Sequence, residues 1–298
     1  DNMKIIDLHC DTLYKFFEDK NYCFAKNSGH ITENALIKGD YMAQCFAIYT
    51  PPEIKKEKAF DFFKHQFENY LKIVDKSEAF VFDSEIKAIL TVENAELLNN
   101  NIERIKLLEE KGVKILGLIH NGENCLGYPH SIEKANALKS LKQFGKEVID
   151  YLNSTDIIAD VSHLNLGGFS DVAEITKKPF IATHSACREI LDHSRNLYDY
   201  QIKQIANSGG VVGVPFYSYF LNGTGKTEIN DIIRHLEHLI KVGGEEVAAL
   251  GTDFDGMECE LPFKNAGDMQ LLTQAIIEKF GNNTAEKICY KNALRILA

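Results

Sequence analysis

The sequence predicts a single (β/α)8 barrel of the TIM-barrel type, and three observations support this α/β fold class. Eight short runs rich in Val, Ile, Leu and Phe alternate with longer amphipathic stretches, as in repeated βα units around a parallel sheet. The length of 298 residues suits one barrel, which commonly takes about 250. Because the sequence contains no Gly/Ser-rich linker and no internal repeat, we expect one domain over residues 1–298.

The predicted strands follow one another at regular intervals along the chain. They lie at 4–8, 43–49, 87–92, 113–119, 157–161, 179–183, 210–215 and 247–251. Helices are predicted between them, among others at 54–75, 94–111 and 227–242. The last of these has an apolar stripe at helical spacing, formed by Ile229, Ile232, Ile233, Leu236, Leu239 and Ile240. Gly243 and Gly244 follow this stripe and favour its termination.

Charge and composition exclude several classes of protein. The chain has 43 acidic and 33 basic residues, a net charge of −10, whereas nucleic-acid binding needs clustered Lys and Arg. No apolar run approaches the roughly 20 residues that span a bilayer, so no membrane partner is expected. The seven Cys are scattered and odd in number, which favours reduced thiols in a cytoplasmic protein. Met3 is expected to mark the natural start, which makes Asp1 and Asn2 additions.

Ionisable side chains follow six of the predicted strands directly. In an α/β barrel the active site lies at the C-terminal ends of the strands, so these residues should meet there. In chain order they are His9, Asp11, Glu93, His120, His163, His184 and Asp253. Imidazole and carboxylate groups suit zinc or a similar divalent ion, and a set of this size can hold two. Glu93 is the natural bridge, because its two oxygens can bind one ion each.

The joint placement of these residues is what favours a metal site. A single His at a strand end is more often a hydrogen-bonded loop or core residue than a ligand. Core packing does not explain repeated ionisable residues at the same end of successive strands. The side chains of His9 and Asp11 also share one face of an extended chain, so both can contact one ion.

The motifs around these residues resemble the renal (membrane) dipeptidase family of binuclear zinc peptidases. The matching stretches, in chain order, are IDLHCD (6–11), LIHN (118–121), FGKEV (144–148), DVSH (160–163), THS (183–185), HSRNL (193–197), NSGGV (207–211), GTDFDG (251–256) and NALR (292–295). They extend over nearly the whole chain. The bridging Glu of the family is usually followed by Gly, whereas this sequence has Asn94 at that position.

The resemblance implies an activity and a role for each candidate residue. The activity would be zinc-dependent hydrolysis of dipeptides by a soluble homodimer, with tolerance of a D residue at the C-terminal position. One zinc ion would be bound by His9 and Asp11 and a second by His163 and His184, with Glu93 and a water or hydroxide bridging them. For the substrate, the implied roles are oxyanion contact by His120, carboxylate binding by Arg195 and proton transfer by Asp253.

Two other functions stay open at this point. Other binuclear amidohydrolases act on small carboxylated amides, but many use His-x-His and a modified Lys where this sequence has His9, Asp11 and Glu93. A metal-free barrel serving as a binding module is the alternative outside enzymes, and the complete ligand set argues against it. Metal analysis separates this last possibility from the others.

Three further residues could suggest chemistry but have simpler interpretations. His235 and His238 are three residues apart on the helix predicted at 227–242, outside its apolar stripe, and a solvated helix face is expected for both. Cys187 could be a nucleophile, but hydrolysis at a metal centre leaves it no task, so we expect it to be a packing residue.

Overall fold

The computed structural model describes residues 2–26, 29–77, 79–80 and 86–298, so the expectation about Asp1 lies outside the described residues. Seven strands of the described chain form one parallel sheet in the order β5-β4-β3-β2-β1-β7-β6. Their bounds are β1 (Ile5–Asp7), β2 (Tyr41–Tyr49), β3 (Lys87–Glu93), β4 (Val113–Gly117), β5 (Ile158–Asp160), β6 (Val212–Val214) and β7 (Ala248–Leu250). These strands correspond to seven of the eight predicted from the sequence.

The predicted strand at 179–183 does not form a regular strand, but it lies between the two edges of the sheet. Ile181 makes a parallel bridge to Asp160 of β5, and Ala182 makes a parallel bridge to Val212 of β6. The N–H of Ile181 donates to the Ala159 oxygen at 3.0 Å. Both edges of the curled sheet are thus hydrogen-bonded to this segment.

Alternate residues of the strands belong to two separate apolar clusters. On β1, Ile5 joins a large cluster that includes the helices, whereas Ile6 joins a small one. The small cluster takes residues from several strands, together with Ala293 and Ile296 of the last helix. Because side chains alternate between the faces of a strand, the small cluster lies on one face of the sheet and the large cluster on the other.

Helices connect the strands. The α-helices of the described chain are α1 (Lys15–Glu18), α2 (Glu33–Lys38), α3 (Glu57–Lys76), α4 (Glu103–Glu110), α5 (Lys134–Ala137), α6 (Gln143–Leu152), α7 (Leu166–Ile175), α8 (Asp199–Asn207), α9 (Ser218–Leu221), α10 (Ile229–Gly243), α11 (Gln270–Phe280), α12 (Asn282–Glu286) and α13 (Asn292–Leu297). A π-helical turn, Lys287–Lys291, joins α12 to α13. Within the described ranges, no helix is long and apolar enough to cross a bilayer.

The helix predicted at 94–111 is divided in two. A 3-10 turn, Ala95–Leu98, comes first, and α4 begins only at Glu103. Asn99 and Asn100 between them have φ angles of 43° and 57°, which an α-helix cannot accommodate. The turn keeps the residues after Glu93 close to the end of β3.

Candidate metal centre and active site

The seven strand-end residues predicted from the sequence lie together around one cavity of about 480 Å3. Six of the seven line this cavity directly, and His9 lies beneath them, buried against His184 with the two rings stacked 3.9 Å apart. Three overlapping groups of ligand atoms each lie within 4.8 Å of one another: His9/His184/Asp253, Glu93/His120/His163 and His9/Asp11/Glu93. The parallel sheet brings these groups together because every strand ends at the same edge.

Glu93, the last residue of β3, lies between two sets of histidines. Its Oε1 is 3.2 Å from His163 Nε2 and 3.4 Å from His184 Nε2. Its other oxygen, Oε2, is 3.8 Å from His9 Nε2. Burial and the neighbouring Asp11 carboxylate raise the pKa of Glu93 well above its ordinary value. The two oxygens therefore face two different ligand groups, which is the geometry of a bridging carboxylate.

Carboxylates surround His9 on the other side. His9 Nε2 lies 3.3 Å from Asp11 Oδ2 and 3.8 Å from Asp253 Oδ1. Burial lowers the pKa of His9, but Asp11 and Glu93 outweigh it and raise the pKa to about 10. Burial and the Asp11 charge raise the pKa of Asp253 to about 7. Several acidic groups thus converge on a small buried volume, an arrangement that a cation neutralises.

The hydrogen bonds of His163 and His184 determine which ring nitrogens face the cavity as acceptors. His163 Nδ1 lies 2.9 Å from Asn121 Oδ1, which can only accept, so this nitrogen carries the proton. His184 Nδ1 donates to Thr183 Oγ1 at 2.9 Å, because that hydroxyl already donates to Asp160 Oδ2. Both Nε2 atoms are then unprotonated, and they lie 3.0 Å apart beside Glu93 Oε1. Three acceptors that face each other at this distance fit a bound metal ion.

His120, which follows β4, lies above these ligands. Its ring centroid is 4.3 Å from that of His163 and 4.6 Å from that of Tyr49. Burial lowers the pKa of His120 to about 4, so the ring is neutral at pH 7. Its Nδ1 has no hydrogen-bond partner among the described residues. A neutral imidazole with a free ring nitrogen is therefore available beside the candidate metal ligands.

Arg195 is buried against the same site, although its side chain does not line the cavity. Its Nη1 donates to Ser185 Oγ at 3.2 Å and its Nη2 donates to the His184 oxygen at 2.9 Å. The buried Nε has no partner among the described residues. Burial lowers the pKa of Arg195 to about 10, so the guanidinium stays charged at pH 7. A buried cation with an unused donor suits an anionic group of a ligand.

Several residues that support the site were not predicted from the sequence. Asn121 and Thr183 fix the imidazoles of His163 and His184, and the only sequence signal for them was adjacency to a predicted His. Asp7 of β1 accepts hydrogen bonds from the N–H of Thr252 at 2.8 Å and from Gln44 Nε2 at 3.0 Å. This carboxylate ties β1 to β2 and to the residues after β7, just below the ligands.

The structure contradicts the prediction for His235 and agrees with the prediction for Cys187. The expectation that His235 lies on a solvated face is wrong: the ring is fully buried, accepts from the Cys187 N–H at 3.0 Å and lies 3.0 Å from the Leu221 oxygen. Cys187 is buried as expected for a packing residue.

Asn94, in place of the family's Gly, has a φ of 74°, and its side chain donates to the Thr50 oxygen at 2.7 Å. An Asn with such local hydrogen bonds tolerates a positive φ.

Comparison with known protein families agrees with this geometry. The model of the membrane dipeptidase family, peptidase family M19, matches residues 1–298. The chain belongs to this family. Its members are metallopeptidases, and membership makes the chain a hydrolase of peptide bonds. The resemblance inferred from the motifs is thereby confirmed.

Relatives of the chain occur in bacteria and yeast. An uncharacterized protein encoded in the pqqA 5′ region of Klebsiella pneumoniae is 30% identical over 226 residues, 72% of this chain and 82% of that protein. An uncharacterized dipeptidase of Schizosaccharomyces pombe is 31% identical over 199 residues, 64% of this chain and 48% of that protein. The chain therefore spans about half the length of the yeast relative.

A solved structure shows the same fold over the full length. It is a metallo peptidase of Rhodobacter sphaeroides, crystallised with a phosphinate mimic of the dipeptide L-Ala-D-Ala. The TM-score is 0.90 at 22% identity, and the match covers 100% of this chain and 99% of that protein. At this identity the likeness supports the α/β barrel fold.

Proposed function

We propose that this M19 hydrolase is a dipeptidase that works with two divalent cations, preferentially zinc. The observation that carries the proposal is the convergence of His163 Nε2, His184 Nε2 and Glu93 Oε1, three acceptors within 3.4 Å of one another. Without a cation the two imidazole nitrogens repel each other at 3.0 Å, because the hydrogen bonds of both rings leave each Nε2 unprotonated.

The same residues divide into two ligand sets. His163 and His184 would hold one ion and His9 and Asp11 the other, with Glu93 shared between them through its two oxygens. Asp11 Oδ1 is buried without a hydrogen-bond partner among the described residues, as expected for an atom that serves as a ligand. Two divalent cations held by these residues would polarise the scissile carbonyl and lower the pKa of a bound water.

The remaining polar residues would bind the substrate and move its protons. Arg195 would bind the substrate carboxylate, since its guanidinium is buried, charged and has an unused Nε donor. His120 would donate a hydrogen bond to the oxygen that becomes negative as the peptide bond is attacked. Asp253 would accept a proton from the attacking water and pass it to the leaving amine. This role is supported by the ligand atoms of His9, His184 and Asp253, which lie within 4.8 Å of one another.

The proposed substrate is a dipeptide, and tolerance of a D residue at its C-terminal position is proposed on separate grounds. Family membership supports a peptide bond, and the cavity of about 480 Å3 suits a small substrate. The bacterial neighbour that binds a mimic of L-Ala-D-Ala supports tolerance of a D residue at the C-terminal position. A panel of L,L and L,D dipeptides, assayed with zinc, tests both. Cleavage of other carboxylated amides in preference to all dipeptides would favour the alternative amidohydrolase function.

The test of the metal centre is the substitution Glu93→Gln. We expect the wild type to bind two zinc ions per chain after reconstitution, and the variant to lose affinity at both sites together. Glu96→Gln is the matched control, because Glu96 is also buried near β3, and within the described ranges its side chain accepts only from the N–H groups of Lys56 and Cys125. Fewer than one zinc per wild-type chain contradicts the proposal, and loss of a single ion in Glu93→Gln contradicts the bridge.

The homodimer and the cytoplasmic location expected from the sequence stay predictions. Sedimentation at micromolar protein concentration tests the first, and a monomer under these conditions would contradict it.

A further inference from the structure

We propose that Ser194, His130 and Asn121 form a directed chain of hydrogen bonds that positions the imidazole of His163. Through this chain, the loop that carries Arg195 would help to set the affinity of the metal ion at His163 and His184. The inference rests on the proposed metal centre, and it assigns a positioning role to three residues outside the ligand set. None of the three is itself a ligand in this proposal.

At the metal end of this series of hydrogen bonds lies His163. Its Nε2 faces Glu93 Oε1 at 3.2 Å, so the ring must present this nitrogen unprotonated to bind a metal. Its Nδ1 lies 2.9 Å from Asn121 Oδ1, which fixes the proton on Nδ1. A ligating His is commonly held by such an acceptor on its other nitrogen, and loss of the acceptor typically costs about 10–100-fold in metal affinity.

Asn121 is itself held in place by His130. Asn121 Oδ1 also lies 3.2 Å from His130 Nε2, and because this oxygen can only accept, the nitrogen must be the donor. His130 Nδ1 is then unprotonated, and it lies 2.7 Å from Ser194 Oγ, whose hydroxyl donates to it. Each hydrogen bond in this series therefore has one direction. The Ser194 hydroxyl donates to His130 Nδ1, and His130 Nε2 and His163 Nδ1 both donate to Asn121 Oδ1.

The backbone holds the same residues together. The N–H of His130 donates to the His163 oxygen at 2.7 Å, and Pro129 and Leu164 form an antiparallel bridge. His163 itself has a φ of 67°, an uncommon conformation for a residue other than glycine. The 129–130 segment therefore runs beside His163 and supports it through both main chain and side chain.

The imidazole of His184 is oriented by a local hydrogen bond instead. Its partner is the preceding residue, Thr183, whose hydroxyl donates to Asp160 at the end of β5. The two ligands of one ion thus depend on different parts of the chain. Among the described residues, the side-chain hydrogen bonds from Ser194 lead to His163, whereas the same loop meets His184 through the separate bond from Arg195 Nη2 to its main-chain oxygen. Loss of the Ser194 hydroxyl should therefore act on His163.

The first experiment compares Ser194→Ala with Ser194→Thr. Ser194→Ala removes the donor to His130, and we expect one of the two zinc equivalents to bind at least about 10-fold more weakly, the other being unchanged. Ser194→Thr keeps a hydroxyl and should restore the affinity. Ser208→Ala is the matched control, since the Ser208 hydroxyl also makes hydrogen bonds but does so with main-chain atoms of Ile205 and Phe180, outside the site. Competition with a chelator measures each equivalent.

The second experiment changes the acceptor itself. Asn121→Ala leaves the His163 Nδ1–H without its partner and should weaken the same zinc equivalent, whereas Asn121→Asp keeps an acceptor oxygen and should retain it. The visible spectrum of the Co2+-loaded protein provides an independent readout, and it should change in Asn121→Ala and Ser194→Ala. Wild-type affinity and spectrum in both of these variants, with two ions bound, would overturn this inference alone. A wild type that binds no zinc would overturn the proposed function as well.

Discussion

The guanidinium of Arg195 donates a hydrogen bond of 2.9 Å to the main-chain oxygen of His184. A candidate substrate-binding group is therefore anchored on a candidate metal ligand, from a loop 11 residues further along the chain. The Nη1 atom is held by Ser185, the residue after that ligand, so the Nε edge is the part that remains unused. These two hydrogen bonds hold the guanidinium at a fixed position relative to the candidate metal ligands.

We predict that Arg195 recognises the carboxylate of the substrate. Arg195→Ala should lower kcat/KM for dipeptides by about 10–100-fold, the scale of a hydrogen-bonded charge pair, while both metal ions stay bound. Wild-type protein should prefer dipeptides over the same compounds with a C-terminal amide, and the variant should lose this preference. An unchanged preference in Arg195→Ala would show that the carboxylate binds elsewhere.

We predict that Asp253 and His120 act on the reaction and not on metal binding. Asp253→Asn and His120→Ala should each lower kcat at least about 100-fold, the scale of a proton-transfer group or an oxyanion donor. Metal content is measured in parallel and should stay at two ions. Asp255→Asn is a suitable comparison, because Asp255 accepts from the Thr12 hydroxyl and the His30 N–H, which hold the loop together. A near-wild-type kcat in either variant would exclude the role given to that residue.

Gly256 leaves room for the acidic groups of the site. A Cβ at this position would overlap Asp11 Oδ2 and lie 2.8 Å from Asp253 Oδ1. We therefore expect Gly256→Ala to displace Asp11 and to weaken zinc binding at least about 10-fold, a displaced ligand costing no less than a lost supporting contact. In Gly225→Ala the nearest neighbour would be Tyr219 Oη at 3.9 Å, so this control should bind zinc normally. Equal affinities in the two variants would contradict the prediction.

His235 makes the folded state sensitive to acid. Burial lowers its pKa to about 4, whereas in the unfolded chain it titrates near 6.5. Between these values the unfolded state binds the proton and the folded state does not. The contribution of His235 to the free energy of unfolding is therefore fully present above pH 6.5. It is lost as the pH falls toward 4, by up to about 3 kcal/mol.

Urea unfolding of the metal-free protein from pH 7.5 to 4 measures this effect. His235→Gln should reduce the slope of the pH dependence, to which other buried histidines such as His120 also contribute, whereas His65→Gln, at an exposed position on α3, should leave the slope unchanged. The same slope in His235→Gln and in the wild type would show that other groups cause the acid sensitivity.

Much of the fold could be predicted because the period of the apolar residues is a local property. The strands β2 and β3 could be predicted from their own apolar residues, without reference to neighbouring strands. The apolar stripe of α10 predicted both ends of that helix to within two residues. The segment 179–183 shows where this fails. Its apolar residues favour a strand, yet regular pairing depends on the two edges it meets, and it makes only single bridges to each.

The positions of the candidate ligands were determined by the sequence alone, since a residue that follows a strand of a parallel barrel must lie at the active edge. His9, Glu93 and His163 all satisfy this condition, although 84 residues separate the first two and 70 the last two. What the tertiary structure decided is which nitrogen of each ring faces the cavity. That choice depends on the partner of the other nitrogen, such as Asn121 for His163, 42 residues away. The same reason explains the error at His235, whose burial depends on Cys187 and Leu221 and not on the helix that carries it.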